Sequence, residues 1–219
     1  MYKRQTFTKA VQNQSWKLLP EKAIYWEERK TLIITDLHIG KSGHFRKAGI
    51  AAPSTINAKN LERLGKLIQK HKPSTLFILG DLFHSKANRE WLEFEEWLEN
   101  FEGFDILLVT GNHDLLHQSF YQSANITVHE TLEFDDFLFI HDPDNSVKSG
   151  PNTTIVAGHI HPGIFLKGKG RQSLRFPCFL FSDERILLPA FGEFTGLFTI
   201  KPEEGEYVYA VVEGSIVEL

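Results

Sequence analysis

Five short motifs follow one another along this chain: Asp36-Leu37-His38, Gly80-Asp81-Leu82-Phe83-His84, Gly111-Asn112-His113-Asp114, a lone His141, and Gly158-His159-Ile160-His161. Together they offer carboxylates, imidazoles and one carboxamide, with no thiolate, in numbers sufficient for two divalent ions. Each motif alone has an ordinary reading, since Asn and Asp favour turns and a strand-end histidine can be a satisfied polar group. Their shared position after apolar runs points to one centre. Two divalent cations would bring four positive charges and Asp36 and Asp81 would remove two, an excess that suits a phosphate ester and a hydroxide. Water on such an ion is acidified, to a pKa of about 7 in favourable zinc sites, and the ions also stabilise charge on phosphoryl oxygens. The chemistry expected is hydrolysis at a two-metal centre.

Three apolar runs position the first motifs: Leu32 to Thr35, Thr75 to Leu79 and Ile106 to Thr110. Each is short and bounded by turn residues, as buried strands are. Leu61, Leu64, Gly65 and Ile68, after Pro53-Ser54, have helical spacing, as do Trp91, Phe94, Glu95 and Leu98. Alternating strands and helices predict parallel pairing with crossovers, and open α/β sheets place their sites at the carboxyl ends of strands. Alternate residues of an extended chain point to one side, which would let Asp36 and His38, and likewise His159 and His161, meet one ion.

Helical periodicity then fades. Strand-like runs at Ile126 to Val128, Thr131 to Phe134, Phe137 to Ile140, Thr154 to Ala157, Phe176 to Phe181 and Tyr207 to Val212 predict a second, mixed or antiparallel sheet packed on the first. The strands near Lys17 to Trp26 are expected to join this second sheet. Asp135-Asp136 and Gly168-Lys169-Gly170 read as turns. The fold class expected is α/β, and no repeat or linker divides residues 1–219 into more than one domain.

Composition narrows the function classes. At 42% hydrophobic and 24% charged, the chain can bury one substantial core. Its single cysteine, Cys178, excludes an intramolecular disulfide and a thiolate cluster, and suits a reducing compartment. No run of 18 apolar residues and no signal-like h-region occurs, so a cytoplasmic protein without a membrane span is expected. Net charge is -4, but the signs are segregated. Glu90 to Asp105 holds seven acids and no base, whereas Lys167 to Arg175 holds four bases and no acid. Lys41, Arg46 and Lys47 follow the first motif and could bind phosphates as substrate ligands, and Phe45 or Phe165 could stack on a base. The alternative is that these are solubilising loops.

The five motifs resemble those of the calcineurin-like metallophosphoesterases, matched from Asp36 to His161. The resemblance implies a two-layer β-sandwich of mixed sheets flanked by α-helices, the αββα metallophosphoesterase fold. It implies that Asp36, His38, Asp81 and His161 hold one metal, with Asp81 bridging to a second held by Asn112, His141 and His159. It further implies that His113 stabilises developing charge or protonates the leaving group, with Asp114 placed to orient it. His84 is either a partner that orients ligands or an ordinary polar residue; His44, His71, His117 and His129 read as structural or surface residues. Manganese is the metal the resemblance favours, while the ligand set alone also suits iron, zinc, cobalt or nickel.

Asp36-Leu37-His38-Ile39-Gly40-Lys41 with the segment to Ile50, and Gly80 to Ser85, resemble a narrower group, the bacterial ligase-associated DNA damage response endonucleases. That resemblance implies manganese-dependent cleavage of phosphodiester bonds, with DNA as substrate and a DNA ligase, a helicase and an exonuclease as partners in repair. A phosphatase or phosphodiesterase of small nucleotides or cyclic nucleotides is the alternative. A non-catalytic protein-binding scaffold is a third reading, at odds with the filled His113 and ligand positions.

Overall fold

The computed structural model describes residues 5–41, 43, 45, 49, 53, 55–84, 89–144, 150, 152–168, 173–193 and 195–219. The first sheet has seven strands in sequence order: β1 (Phe7–Val11), β2 (Gln14–Leu19), β3 (Ala23–Trp26), β4 (Thr31–Ile34), β5 (Thr75–Leu79), β6 (Asp105–Val109) and β7 (Ile126–His129). The first four pair antiparallel and the last four parallel. The apolar runs at β4 and β5 are continuous because both faces are covered. Leu32, Ile34, Leu76 and Ile78 face one core, and Ile33, Phe77 and Leu79 face another.

Helices α1 (Ile56–His71), α2 (Arg89–Leu98) and α3 (Gln118–Ser123) belong to the first of these cores. In α1 the stripe Leu61, Leu64, Leu67 and Ile68 is buried. The helix ends where Lys72 turns left-handed at φ 46° and its N–H bonds Ile68 O at 2.8 Å. In α2 Trp91 and Phe94 are buried, leaving the acids of that segment on the other side. The two helices read from periodicity are therefore present.

The second sheet follows the order β14 (Phe198–Thr199), β11 (Pro162–Lys167), β12 (Ser173–Phe181), β13 (Arg185–Leu187), β10 (Thr154–Ala157), β9 (Phe137–Phe139), β8 (Leu132–Phe134). Strands β15 (Tyr207–Val212) and β16 (Ser215–Glu218) attach through β12. Strands β9, β10 and β13 run parallel, the rest mostly antiparallel, so both sheets are mixed. The sheets share an aromatic core of Trp16, Trp26, Phe77, Phe137, Phe139, Phe179, Phe181 and Tyr209. Among the described residues the helices pack on the first sheet, while the far face of the second closes over Leu138, Cys178, Leu180 and Val208.

Two sequence expectations need correction. The strands around Lys17 to Trp26 extend the first sheet, because tight turns at Leu19–Lys22 and Glu27–Lys30 fold β2 and β3 back onto β4. The run at Ile126 to Val128 also joins the first sheet, parallel to β6, since α3 supplies a crossover too short for a clear period. Ser54, from the Pro53-Ser54 pair that precedes the first helical spacing, and Lys169 and Gly170, from the segment read as a turn, lie outside the described residues. No described helix is long and apolar enough to cross a membrane.

Cys178 is buried, and burial pushes its thiol up to about 12. A thiol reagent at neutral pH should therefore modify no cysteine in the native protein and one after denaturation. Phe139→Ala should cost about 3–5 kcal/mol of stability by urea unfolding, because Phe139 is fully buried between the sheets.

Candidate metal centre

Strands β4, β5 and β6 of one sheet and β10 of the other end at the same rim, and the motifs begin there. Asp36, His38, Asp81, His159 and His161 all have positive φ, between 51° and 61°. The left-handed region is uncommon for residues with a side chain and worth attention when repeated. Simple strand alternation, the reason expected from the sequence, is therefore not what aims these side chains. Sharp reversals at the strand ends turn each one inward.

Hydrogen bonds hold the reversals in place. Asp36 N–H donates to Gly80 O at 3.1 Å, His38 N–H to Asp81 O at 2.8 Å, and Gly158 N–H to His141 O at 3.1 Å. Gly80, at φ 79°, has no room for a side chain, because a Cβ there would collide with the imidazole of His141. A Cβ on Gly111 would likewise collide with the carboxylate of Asp81.

Asp36 is fully buried. Its Oδ2 accepts from Thr35 Oγ1 at 2.6 Å and from His159 N–H at 3.1 Å. Its Oδ1 stands 3.1 Å from His161 Nε2 yet makes no hydrogen bond of acceptable geometry. Burial pushes this carboxyl up, but His161 and the Thr35 hydroxyl more than compensate and hold it below its ordinary value. His38 is driven down to about 2, first by burial and then by the charge of Lys41, so it is neutral. Both its ring nitrogens are buried without a hydrogen-bond partner, and Nε2 lies 3.6 Å from Asp81 Oδ2.

The neighbouring cluster has a readable tautomer. His141 Nδ1 sits 2.9 Å from Leu79 O, which only accepts, so Nδ1 carries the proton and Nε2 the lone pair. That lone pair faces Asn112 Oδ1 at 3.2 Å, Asp81 Oδ1 at 3.5 Å and His159 Nδ1 at 3.1 Å. His141 Nε2, Asn112 Oδ1 and Asp81 Oδ1, three acceptors, therefore converge on a small volume. Two groups, Asp36 with His38 and His161, and Asp36 with Asp81 and His141, have ligand atoms mutually within 4.8 Å. Orphaned buried lone pairs of oxygen and nitrogen fit divalent cations, and all seven residues named from the motifs lie in this region.

His113 sits at the edge of the cluster. Its backbone N–H donates to Asp81 Oδ1 at 3.0 Å, its Nε2 is 4.0 Å from Asp81 Oδ2, and its side chain is 40% exposed. The His84 ring lies 4.1 Å from that of His113 and 5.4 Å from that of His38, centroid to centroid. Asp114 does not bond the His113 ring as expected. Its oxygens accept the N–H groups of Phe83 at 3.1 Å and Gly111 at 2.8 Å, tying together the second and third motif loops. Burial raises this carboxyl to about 6 against the pull of those two bonds. Lys41 is half-buried close to Asp36 and Asp81; burial lowers its ammonium while both carboxylates oppose the shift. Arg46, Lys47 and His44 lie outside the described residues. His71 packs on Tyr25, and His117 caps α3 through Ser119 N–H, both structural uses.

Several supporting residues were not legible as motif members. Asp142 Oδ2 lies 3.6 Å from His159 Nε2, and it is signalled only by following His141. Phe191 N–H donates to Thr35 O and Gly192 N–H to Asp36 O, at 2.8 and 3.0 Å. Lys22 Nζ donates to Gly192 O at 3.0 Å and the Arg63 guanidinium to Phe191 O. Phe191 and Gly192 back the Asp36 turn from more than 150 residues away in sequence, beyond the reach of any local pattern.

A rim of converging lone pairs between two mixed sheets is the requirement of a metal-dependent hydrolase, and known proteins specify its chemistry. The model of the calcineurin-like phosphoesterase family matches residues 29–187. The chain belongs to that family and is a metal-dependent phosphoesterase. It is similar to a solved structure of Pseudomonas putida nuclease MPE, with 32% identity and a TM-score of 0.82, covering 98% of this chain and 100% of that one. It also matches YfcE, a phosphoesterase from E. coli, at 16% identity and TM-score 0.46, covering 86% and 97% of the two chains. Among curated proteins none matches.

Gly80→Ala should destabilise the fold by at least ~1–3 kcal/mol and also reduce the rise in Tm on adding manganese. The check is thermal unfolding with and without the ion; an unchanged metal-dependent rise would detach Gly80 from the centre.

Proposed function

We propose that residues 1–219 act as one catalytic domain that hydrolyses phosphodiester bonds in DNA, as an endonuclease or phosphodiesterase of DNA repair, with manganese at both metal positions. The observation that carries this reading is full-length similarity to a protein named a nuclease. The first motif's resemblance to ligase-associated endonucleases supports a DNA ligase, a helicase and an exonuclease as working partners, and a cytoplasmic setting follows from that role.

In this reading Asp36, His38, Asp81 and His161 would hold one ion, and Asn112, His141 and His159, with Asp81, would hold the other. When bound, divalent ions would supply Lewis acidity toward the phosphoryl oxygens and lower the pKa of water enough for a hydroxide nucleophile near neutral pH. The chain's own residues do the rest. His38 stays neutral and His141 keeps Nε2 as a lone pair, so neither needs to lose a proton to act as a ligand. His113, half-exposed beside Asp81, is positioned to donate a proton to the leaving oxygen or to stabilise charge on the phosphoryl group. Asp114 positions His113 by closing the turn at Gly111 and tying it to the Phe83 loop, and His84 supports the ring by contact. Lys41 faces the same carboxylates and would meet a substrate phosphate.

His113→Ala should lower kcat by roughly 10²–10⁴-fold while leaving manganese binding intact by calorimetry. Loss of metal binding would instead make His113 a ligand. Manganese-supplemented cleavage of DNA, RNA, cyclic nucleotides and a generic monoester tests the substrate class. DNA hydrolysis that weakens as salt rises is expected, and turnover confined to small esters would overturn the nuclease reading.

A further inference from the structure

Strand β12 runs past the metal centre. Its C-terminal half pairs with β13, Leu180 opposite Leu187, while its N-terminal half pairs with β11, Arg175 opposite Phe165. Leu187 stands level with Ala157, the last residue of β10 before His159 and His161. The β11–β12 ribbon therefore extends beyond the rim that carries the ligands. Arg175 lies five residues up from Leu180, roughly 17 Å of strand.

Alternation along β12 decides which way the ribbon faces. Phe179 and Phe181 point into the core between the sheets, and Cys178 and Leu180 into the opposite face. Arg175 has the parity of Phe179, and Phe165, registered opposite it, shares its face. That face continues the inter-sheet surface outward, so it overhangs the seam where the metal ligands gather.

The overhang has an unusual composition. Phe165 is 52% exposed, with the Arg175 guanidinium 6.0 Å from its ring centroid. Arg175 also donates to Thr199 Oγ1 at 3.5 Å, which ties it to the neighbouring strand. Lys167 is exposed on the same face, two residues beyond Phe165. Lys167 to Arg175 carries four bases and no acid in a chain of net charge -4. Lys169 and Arg171 lie outside the described residues. An exposed aromatic ring beside two cations, continuous with a phosphoesterase centre, complements a polyanion that carries aromatic bases.

We infer that this face of the β11–β12 ribbon is a strand-binding wall: Phe165 stacks on a base of the nucleic acid, and Arg175 and Lys167 hold phosphates away from the one being cleaved. The inference rests on the nuclease reading above and adds the residues that grip the polymer. Leu174 and Phe198, on the opposite face of the ribbon and 62% and 65% exposed, offer a protein-binding surface as the competing use.

The test compares kcat/KM for a DNA oligonucleotide with kcat/KM for bis(p-nitrophenyl) phosphate, which is too small to reach the ribbon. Phe165→Ala should lower the ratio of the two about tenfold, and Phe165→Trp should restore it. Arg175→Ala should lower the ratio and flatten the salt dependence of oligonucleotide binding by about one unit of log–log slope. Ratios within about twofold of wild type for both alanine variants would overturn the inference, as would a change of oligomeric state in Phe165→Ala with the ratio unmoved. A wild-type enzyme that turns over only the small ester would overturn the nuclease reading and this inference with it, an outcome distinct from an unchanged ratio.

Discussion

Lone pairs that face one another without a proton between them are the constraint around which this molecule is arranged. Asp36 Oδ1, the unprotonated nitrogen of neutral His38, and Nε2 of His141 with Asn112 Oδ1 and Asp81 Oδ1 all converge at one rim, most of them away from water. Buried acceptors without donors repel each other and lose hydration. A divalent cation reverses the sign of that interaction. The burial that keeps His38 neutral then becomes useful, because a neutral imidazole is the form that coordinates metal.

Backbone geometry is subordinate to that convergence. Five side-chain-bearing residues of the centre sit in the left-handed region, where each costs on the order of 1–3 kcal/mol unless its surroundings impose it. The imposing contacts are visible. Gly80 and Gly111 let two strand ends approach within van der Waals distance of ligand side chains, and the Phe191-Gly192 strut, held by Lys22 and Arg63, closes over the Asp36 turn. Two cores, one under the helices and one between the sheets, supply the burial that offsets the strain.

The parts of this arrangement that depend on short-range pattern were legible in the sequence. Buried strands read directly from unbroken apolar runs such as Thr75–Leu79, and α1 from the spacing of Leu61, Leu64 and Ile68. The motif residues could be grouped at one site because strand ends in an α/β sheet share one rim, while their division into seven ligands came from the resemblance to the metallophosphoesterases. Long-range pairing could not be read. Nothing local says that β2 and β3 pair with β4 and not with the second sheet, because hairpin strands present the same alternation wherever they dock. Left-handed ligands were invisible for a related reason: Asp and His carry no propensity signal strong enough to announce positive φ. The destination of the Asp114 carboxylate depended on which backbone N–H groups two separate loops left exposed.

The most direct measurement is an isothermal manganese titration of the metal-free protein, alongside Asp81→Asn. Asp81 places one oxygen toward His38 and the other toward His141, so its carboxylate faces a ligand proposed for each ion. Two ions bound per wild-type chain, with both bindings weakened in Asp81→Asn, is the result expected from a shared carboxylate. A single ion per chain, or two ions of which only one responds to Asp81→Asn, would contradict a centre built around it.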